Sequence, residues 1–163
     1  MPQDEFHTVR GYQLIGRDRP VTSAMEDYLE MICRCTQEDE DIRISQIAEM
    51  LHVKAPSVTI MVQRLGELGL VKYERYGKVT MTPRGRELGR SLIRRHETVY
   101  RFLEFLCCRE DIFVQTELIE HNISTHTLEC IHSLLCFFGS HPDITLAFQE
   151  FRLECQEGNG RLK

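Results

Sequence analysis

The fold of this chain is decided by one stretch of sequence, Ile44-Ser-Gln-Ile-Ala-Glu-Met-Leu51, then His52-Val-Lys-Ala55, then Pro56-Ser-Val-Thr-Ile-Met-Val-Gln-Arg-Leu65. Apolar residues recur at helical spacing on both sides of a short turn, which is the pattern of a helix-turn-helix. Ser45 is the expected cap of the first helix, and Pro56 suits the first turn of the second. The seam between the helices is expected to contain Ile47, Ala48, Leu51, Val53, Val58, Val62 and Leu65. The second helix is therefore the candidate reader of DNA.

The residues after the reading helix predict a small β wing. Gly66 and Gly69 end the helix, and the segment from Leu70 to Thr82 contains two short strands joined by a turn at Arg75 to Lys78. Several of its side chains are basic, so the wing is expected to carry positive charge.

Helices are predicted on both sides of this unit. Ser23, with Glu26 as the partner in a capping box, begins a helix that runs to about Gln37, and an acidic loop follows at 38–41. Thr82 and Pro83 cap and open a long helix. Further helices are expected at Ile112–His121, Ser124–Gly139 and Ile144–Gln156. The apolar faces of this all-helical half suit a dimer interface.

The composition is typical of a soluble globular protein: 163 residues, 42% hydrophobic and 28% charged. The sequence has no apolar run of the roughly 18 residues that a membrane span needs. Its polar start lacks an apolar signal core, so a cytoplasmic location is expected. The seven cysteines include no C-x-x-C pair, and most lie among apolar residues, which favours a structural role as small hydrophobes.

The net charge of −5 conceals a strong asymmetry. Between Val53 and Arg90 there are eight basic and three acidic residues, a local charge of +5, so the remainder carries −5 − 5 = −10. A basic segment in an acidic protein is a candidate phosphate-binding surface, although a solvated charged face has the same composition.

Candidate metal ligands occur in three separate helices. Glu117, Glu120 and His121 fall on one helical face at positions i, i+3 and i+4, as do Asp27 and Glu30 at i and i+3. For the segment Glu117–His121 taken alone, the alternative to metal binding is a charged helix face exposed to solvent. A further candidate ligand is the imidazole of His96. Four carboxylates and two imidazoles suit a pair of divalent cations.

Several motifs occur in a familiar order: Ser23-Ala-Met-Glu-Asp-Tyr-Leu-Glu30, Ser45-Gln-Ile-Ala-Glu49, Pro56–Leu65, Thr82-Pro-Arg-Gly85, Arg95-His-Glu97 and Glu117–His121. Together they resemble the diphtheria toxin repressor family of metal-dependent regulators, and within it the manganese transport regulators. The resemblance implies a mainly α fold with a small β wing, in which a winged helix-turn-helix DNA-binding domain precedes an all-helical dimerisation and metal-binding domain. The expected domains are an N-terminal extension at 1–21, the DNA-binding domain at 22–83 and the helical domain at 84–163.

The resemblance also implies a function and a ligand set. Such a protein binds operator DNA as a homodimer when loaded with metal, and the family expectation is repression of metal-uptake or homeostasis genes. The implied ligands of two Mn(II) ions per subunit are Asp27, Glu30, His96, Glu117, Glu120 and His121. Iron-responsive members place methionine at the position of Asp27 and cysteine at that of Glu117. Hard oxygen donors suit manganese, while Fe(II), Zn(II) and Co(II) stay open because later metals usually bind more tightly.

Metal is expected to act by charge neutralisation. Four carboxylates would repel one another without cations, and two divalent ions would cancel their charge, join the two halves and fix the spacing of the dimer's reading helices. That spacing has to match one turn of DNA, about 34 Å. The expected DNA contacts are Lys54, Ser57, Thr59, Gln63, Arg64, Arg75 and Lys78. Ile60 occupies a position in the reading helix where a polar side chain is expected.

Two other classes of function are less compatible with the sequence. A di-metal carboxylate enzyme needs two Glu-x-x-His pairs, whereas Glu117 and His121 are four residues apart and no second pair exists. A winged-helix regulator that senses an organic ligand would leave the six ligand-type residues incidental. The sequence therefore predicts a regulator that is not an enzyme and has neither an organic substrate nor a membrane partner.

Overall fold

The computed structural model describes residues 20–36, 41–74, 77–106 and 111–160, with side chains up to residue 155. The predicted extension at 1–21 therefore lies almost wholly outside the described residues. In chain order the elements are α1 (Ser23–Cys35), β1 (Asp41–Arg43), α2 (Ile44–Met50), α3 (Ala55–Glu67), β2 (Val71–Tyr73), β3 (Lys78–Met81), α4 (Pro83–Phe105), α5 (Ile112–Glu120), α6 (Thr125–Ser140) and α7 (Pro142–Gly160). They form two compact units, 1–93 and 94–163.

Helix α1 begins one residue earlier than its predicted cap implies. The N-cap is Thr22, whose hydroxyl accepts a hydrogen bond from the Met25 amide at 3.4 Å, so the prediction of Ser23 as cap was wrong. The helix ends at Cys35, two residues before the predicted end, and the Thr36 hydroxyl donates back to the Ile32 carbonyl at 2.8 Å. At each end of α1, a threonine side chain thus forms a hydrogen bond with a backbone group of the terminal turn.

The helix-turn-helix is formed by α2 and α3. Arg43, not the predicted Ser45, is the N-cap of α2, because the Gln46 side chain accepts a hydrogen bond from the Arg43 amide at 2.9 Å. Five of the seven predicted seam residues are buried: Ile47, Ala48, Val58, Val62 and Leu65. Leu51 is partly buried, whereas Val53 is 38% exposed in the turn. The contact between these helices is thus formed mainly by the central residues of the predicted seam.

The wing is part of a three-stranded antiparallel sheet with the order β1-β3-β2. Strands β2 and β3 were predicted, but β1 was not, and it begins at Asp41, the last residue of the predicted loop. Ile42 of β1 is buried opposite Val79 of β3, and the Ile44 amide donates to the Gly77 carbonyl at 2.9 Å. Strand β1 therefore ties the start of the helix-turn-helix to the wing.

The first turn of α4 packs against the base of the wing. The Thr82 hydroxyl accepts a hydrogen bond from the Gly85 amide at 3.0 Å, which confirms the predicted cap. Leu70, Val71 and Met81 join the helix-turn-helix residues in one core within unit 1–93.

Unit 94–163 contains the predicted further helices with shifted ends. Helix α5 ends at Glu120 with His121 as its C-cap, α6 begins after the N-cap Ser124, and α7 starts at Pro142, two residues earlier than predicted. The rings of Phe105, Phe138 and Phe148 pack together with centroids 4.7 to 5.5 Å apart. No helix in the described parts of the chain is both long and apolar enough to cross a membrane.

The cysteines only partly follow the prediction that most are packed as small hydrophobes. Cys33 and Cys35 are half-buried, and burial raises the pKa of both thiols above its usual value. Cys130, Cys136 and Cys155 are exposed on α6 and α7, because those helices present several sides to solvent in the single chain. Cys107 and Cys108 lie outside the described residues.

Candidate metal centre

Helix α5 presents the predicted ligand face at its C-terminal end. Glu120 is 1% exposed, whereas the Glu117 side chain, one turn earlier, is 40% exposed. His121 follows directly as the C-cap, and its side chain is 12% exposed. The helical spacing thus places one buried carboxylate beside an accessible carboxylate and an imidazole.

His96 of α4 joins this face within unit 94–163. Its Nδ1 atom lies 3.2 Å from Oε2 of Glu120 and 3.4 Å from Oε1 of Glu117. The ring is packed between Tyr100, at a centroid distance of 6.5 Å, and Phe113, at 5.7 Å. Although two carboxylates are near, the buried Nδ1 atom forms no hydrogen bond of good geometry among the described residues. Nδ1 of His96 is therefore a potential metal-ligating atom that faces two carboxylates.

His121 is oriented by a neighbouring arginine. Nη2 of Arg95 lies 3.1 Å from Nδ1 of His121. Because a guanidinium can only donate, Nδ1 accepts this bond and a neutral ring carries its proton on Nε2. That Nε2 atom lies 3.7 Å from Oε1 of Glu120. Arg95 therefore orients the ring in the metal-free protein, and coordination of a metal through Nε2 would require the proton to move to Nδ1 and the Arg95 contact to break.

The other two predicted ligands lie on α1 in unit 1–93. Asp27 and Glu30 are three residues apart, so they occupy neighbouring positions on one helical face. Glu30 is 8% exposed, and its Oε1 atom accepts hydrogen bonds from Nη2 of Arg34 at 2.7 Å and from Nε of Arg34 at 2.9 Å. A mostly buried carboxylate is thus held by an arginine one turn further along the helix.

The chemistry of these donors fits a divalent cation of intermediate hardness. The side chains that converge in unit 94–163 offer carboxylate oxygens and imidazole nitrogens and no sulfur, which is a donor set suited to Mn(II) and also to Fe(II) or Zn(II). A buried carboxylate such as Glu120 beside a buried imidazole such as His96 costs free energy in a protein interior unless a partner replaces the lost solvation. A bound cation would neutralise the carboxylates and use the Nδ1 lone pair of neutral His96.

The predicted DNA contacts are concentrated on the outer side of α3. Lys54 is its N-cap, and Ser57, Gln63 and Arg64 are exposed. The Thr59 hydroxyl is half-buried and donates to the Ala55 carbonyl at 3.1 Å, so it keeps only acceptor capacity for DNA. Ile60, the apolar residue on the reading helix, is 54% exposed.

Of the two basic wing residues predicted to contact DNA, only Lys78 is among the described residues. Lys78 is exposed and forms an ion pair with Asp41 of β1, and this pair lowers the pKa of the Asp41 carboxyl. A phosphate would have to compete with that carboxylate for the ammonium group. Arg75 lies outside the described residues.

Two arginines that contact predicted ligands were missed by the sequence analysis. Arg34 is four residues after Glu30, so the i, i+4 rule for opposite charges could have identified it. Arg95 contacts His121 across 26 positions of sequence, and no local pattern predicts such a pairing.

The chain is similar to known metal-dependent repressors. The family model described as "Iron dependent repressor, N-terminal DNA binding domain" matches residues 21–79, and "Iron dependent repressor, metal binding and dimerisation domain" matches 82–147. A relative from Lysinibacillus sphaericus, "HTH-type transcriptional regulator MntR", is 39% identical over 76% of this chain and 89% of its own length. A protein of the same name from Geobacillus kaustophilus is 39% identical over 84% of this chain and 98% of its own length.

Solved structures are similar over a smaller share of their length. The manganese regulator SloR is 32% identical with a TM-score of 0.60, over 69% of this chain and 54% of that one. A structure titled "Manganese-dependent transcriptional repressor complex with manganese" is 28% identical with a TM-score of 0.61, over 69% of this chain and 53% of that one. This chain therefore spans about half the length of these solved proteins.

Proposed function

The chain belongs to the iron dependent repressor family, and from that membership we propose that it is a Mn(II)-dependent transcriptional repressor of metal-uptake or homeostasis genes. It is a regulator and not an enzyme, with a DNA-binding half and a metal-binding and dimerisation half, so its partners are operator DNA and a second copy of itself. The observation that carries the metal assignment is the placement of the His96 ring against Glu117 and Glu120. A cytoplasmic location, where the operator is accessible, belongs to the proposal.

We propose that all six ligand-type residues hold the metal, with two Mn(II) ions per subunit. His96, Glu117, Glu120 and His121 are supported by their mutual distances, whereas Asp27 and Glu30 are supported by the sequence resemblance and by their shared face on α1. Four carboxylates balance the charge of two divalent ions. The working domains in this proposal are 22–83 for DNA binding and 84–163 for dimerisation and metal binding, preceded by an extension at 1–21.

The mechanism begins from electrostatic repulsion within the ligand set. Glu117 and Glu120 lie on one helical face beside His96, so their negative charges repel each other when no cation is present. Divalent cations held by the six ligand-type residues would supply positive charge there, and the ligands would then hold one arrangement. We propose that this order fixes the separation of the two α3 helices in the dimer at about one turn of DNA, 34 Å. Affinity for DNA then rises although no ligand residue touches it.

A metal titration of DNA binding tests this function directly. A fluorescent promoter fragment from a neighbouring metal-transport gene is titrated with protein in chelator, and then with Mn(II), anaerobic Fe(II), Zn(II) or Co(II). We expect Mn(II) to tighten binding and chelator to reverse the effect. Activation by iron alone would reject the manganese assignment, and equal binding with and without every metal would reject the metal-sensor function.

Substituting Arg64 with alanine is expected to weaken DNA binding across sequences. If its exposed guanidinium contacts a phosphate, the slope of log affinity against log salt should fall by about one unit. The measurement is fluorescence anisotropy at several salt concentrations in saturating Mn(II). Arg101→Ala, which removes an exposed arginine from α4, is the control and should bind as the wild type does. Equal slopes for wild type and Arg64→Ala would remove Arg64 from the DNA interface.

A further inference from the structure

Arg34 and Glu30 form an ion pair on α1 with an unusual geometry. Both Nε and Nη2 of the guanidinium donate to the same oxygen, Oε1, at 2.9 and 2.7 Å. The acceptor side chain is only 10% exposed, and the arginine side chain is 39% exposed. An ordinary i, i+4 ion pair on a helix surface joins two solvated groups and contributes little. Here one partner is buried, so the pairing satisfies a carboxylate that water reaches poorly.

We propose that Arg34 is an internal competitor of the metal, which occupies Glu30 in the metal-free protein and must release it when metal binds. The inference rests on the proposed function, in which Glu30 is a ligand. Because both Arg34 donors take Oε1, a divalent cation that uses Oε1, or both oxygens of Glu30, would compete with the guanidinium for the same lone pairs. Arg34 therefore raises the concentration of Mn(II) at which the protein is loaded.

The charge balance favours competition over joint binding. The four ligand carboxylates carry −4, which two divalent ions neutralise completely. A guanidinium that stayed on Glu30 would leave an excess positive charge close to the metal, in a region where charges are poorly screened. Without metal, the same guanidinium reduces the repulsion among the carboxylates. The contact between Arg34 and Glu30 therefore stabilises the metal-free state and is unfavourable in the metal-bound state.

Because the Arg34 side chain is partly exposed, it can move into solvent when it leaves Glu30. Its side chain is already 39% exposed at the last turn of α1, so release from Glu30 requires rotation of a flexible side chain into water and no movement of the helix. Long arginine side chains make such changes readily because their apolar stems can stay packed while the charged end moves.

The test compares Mn(II) binding to Arg34→Gln, Arg34→Lys and wild type, with free Mn(II) measured by electron paramagnetic resonance and no DNA present. For Arg34→Gln we expect the dissociation constant to fall by about 3- to 10-fold, more than loss of a fully exposed ion pair implies and less than loss of a buried charged hydrogen bond implies. Arg34→Lys keeps the charge with a less suitable donor geometry, so an intermediate value is expected.

Lys72→Gln removes one exposed positive charge from β2 in the same unit and is the control for overall charge. It should bind Mn(II) as the wild type does. Unchanged or weaker binding by Arg34→Gln would overturn the competitor role, and weaker binding would show instead that Arg34 positions Glu30 for the metal. If wild type itself binds no Mn(II), the proposed function fails, which is a different outcome.

Discussion

Glu120→Gln is expected to abolish Mn(II)-dependent DNA binding while the metal-free protein stays folded. Glu120 is the most buried of the candidate ligands at 1% exposure, and its two oxygens face two imidazoles: Oε2 lies 3.2 Å from Nδ1 of His96, and Oε1 lies 3.7 Å from Nε2 of His121. The structure thus places Glu120 beside both candidate histidine ligands. Its loss should therefore affect the whole centre.

The expected size of the effect is large. Loss of outer-shell partners of metal ligands already reduces metal affinity by about 10- to 100-fold, so removal of a ligand charge should weaken Mn(II) binding by about 100-fold or more. Glutamine keeps the volume of the side chain and can still form hydrogen bonds, which protects the packing around it. The measurements are free Mn(II) by electron paramagnetic resonance, promoter binding by anisotropy, and circular dichroism of the metal-free variant.

The matched control is Glu129→Gln, which neutralises an exposed glutamate on α6 in the same unit. It should retain Mn(II) binding and its coupling to DNA. Wild-type manganese dependence in Glu120→Gln would exclude Glu120 from the ligand set. Loss of the native circular dichroism spectrum would identify a structural role, and Asp27→Asn would then test the ligand set from the other unit.

The sequence predicted the helix-turn-helix well because its buried residues are local in sequence. Val58, Val62 and Leu65 recur at spacings of four and three within α3, and this spacing alone identifies the buried face. Strand β1 was missed for the opposite reason. Its three residues contain one apolar side chain, and Ile42 becomes a strand residue only by pairing with Val79, far along the chain. Pairing of that kind leaves no periodic signal in three residues.

The candidate site shows the same division between local and distant information. The convergence of Glu117 and Glu120 follows from positions on one helix. The contact of His96 with that face depends on the packing of α4 against α5. From the sequence alone, the inclusion of His96 in the site rested on the family resemblance. Arg34 was visible as an i, i+4 partner of Glu30, but the buried state of Glu30, which makes the pairing consequential, was not.

Gly85→Ala is expected to destabilise unit 1–93 severely, because the first turn of α4 touches the backbone at Leu70. A Cβ atom on Gly85 would lie 1.9 Å from the Leu70 carbonyl oxygen and 2.8 Å from its carbonyl carbon. That carbonyl cannot easily move away. It accepts hydrogen bonds from the Thr82 amide at 3.1 Å and from the Thr82 hydroxyl at 3.0 Å, and the Leu70 side chain is 1% exposed in the core.

Relief of the clash would require α4 to shift away from the wing, which would break the Thr82 cap and open the core beside Leu70. We expect a loss of about 3 kcal/mol or more in the free energy of unfolding, a large part of the roughly 5–15 kcal/mol that stabilises a typical domain. Urea denaturation followed by circular dichroism measures it. Gly139→Ala in α6 is the control, since its added methyl group meets no atom within 4 Å. Alanine there should stabilise the helix by about 0.5–1 kcal/mol. Equal stability of Gly85→Ala and wild type would show that α4 does not pack this closely on Leu70.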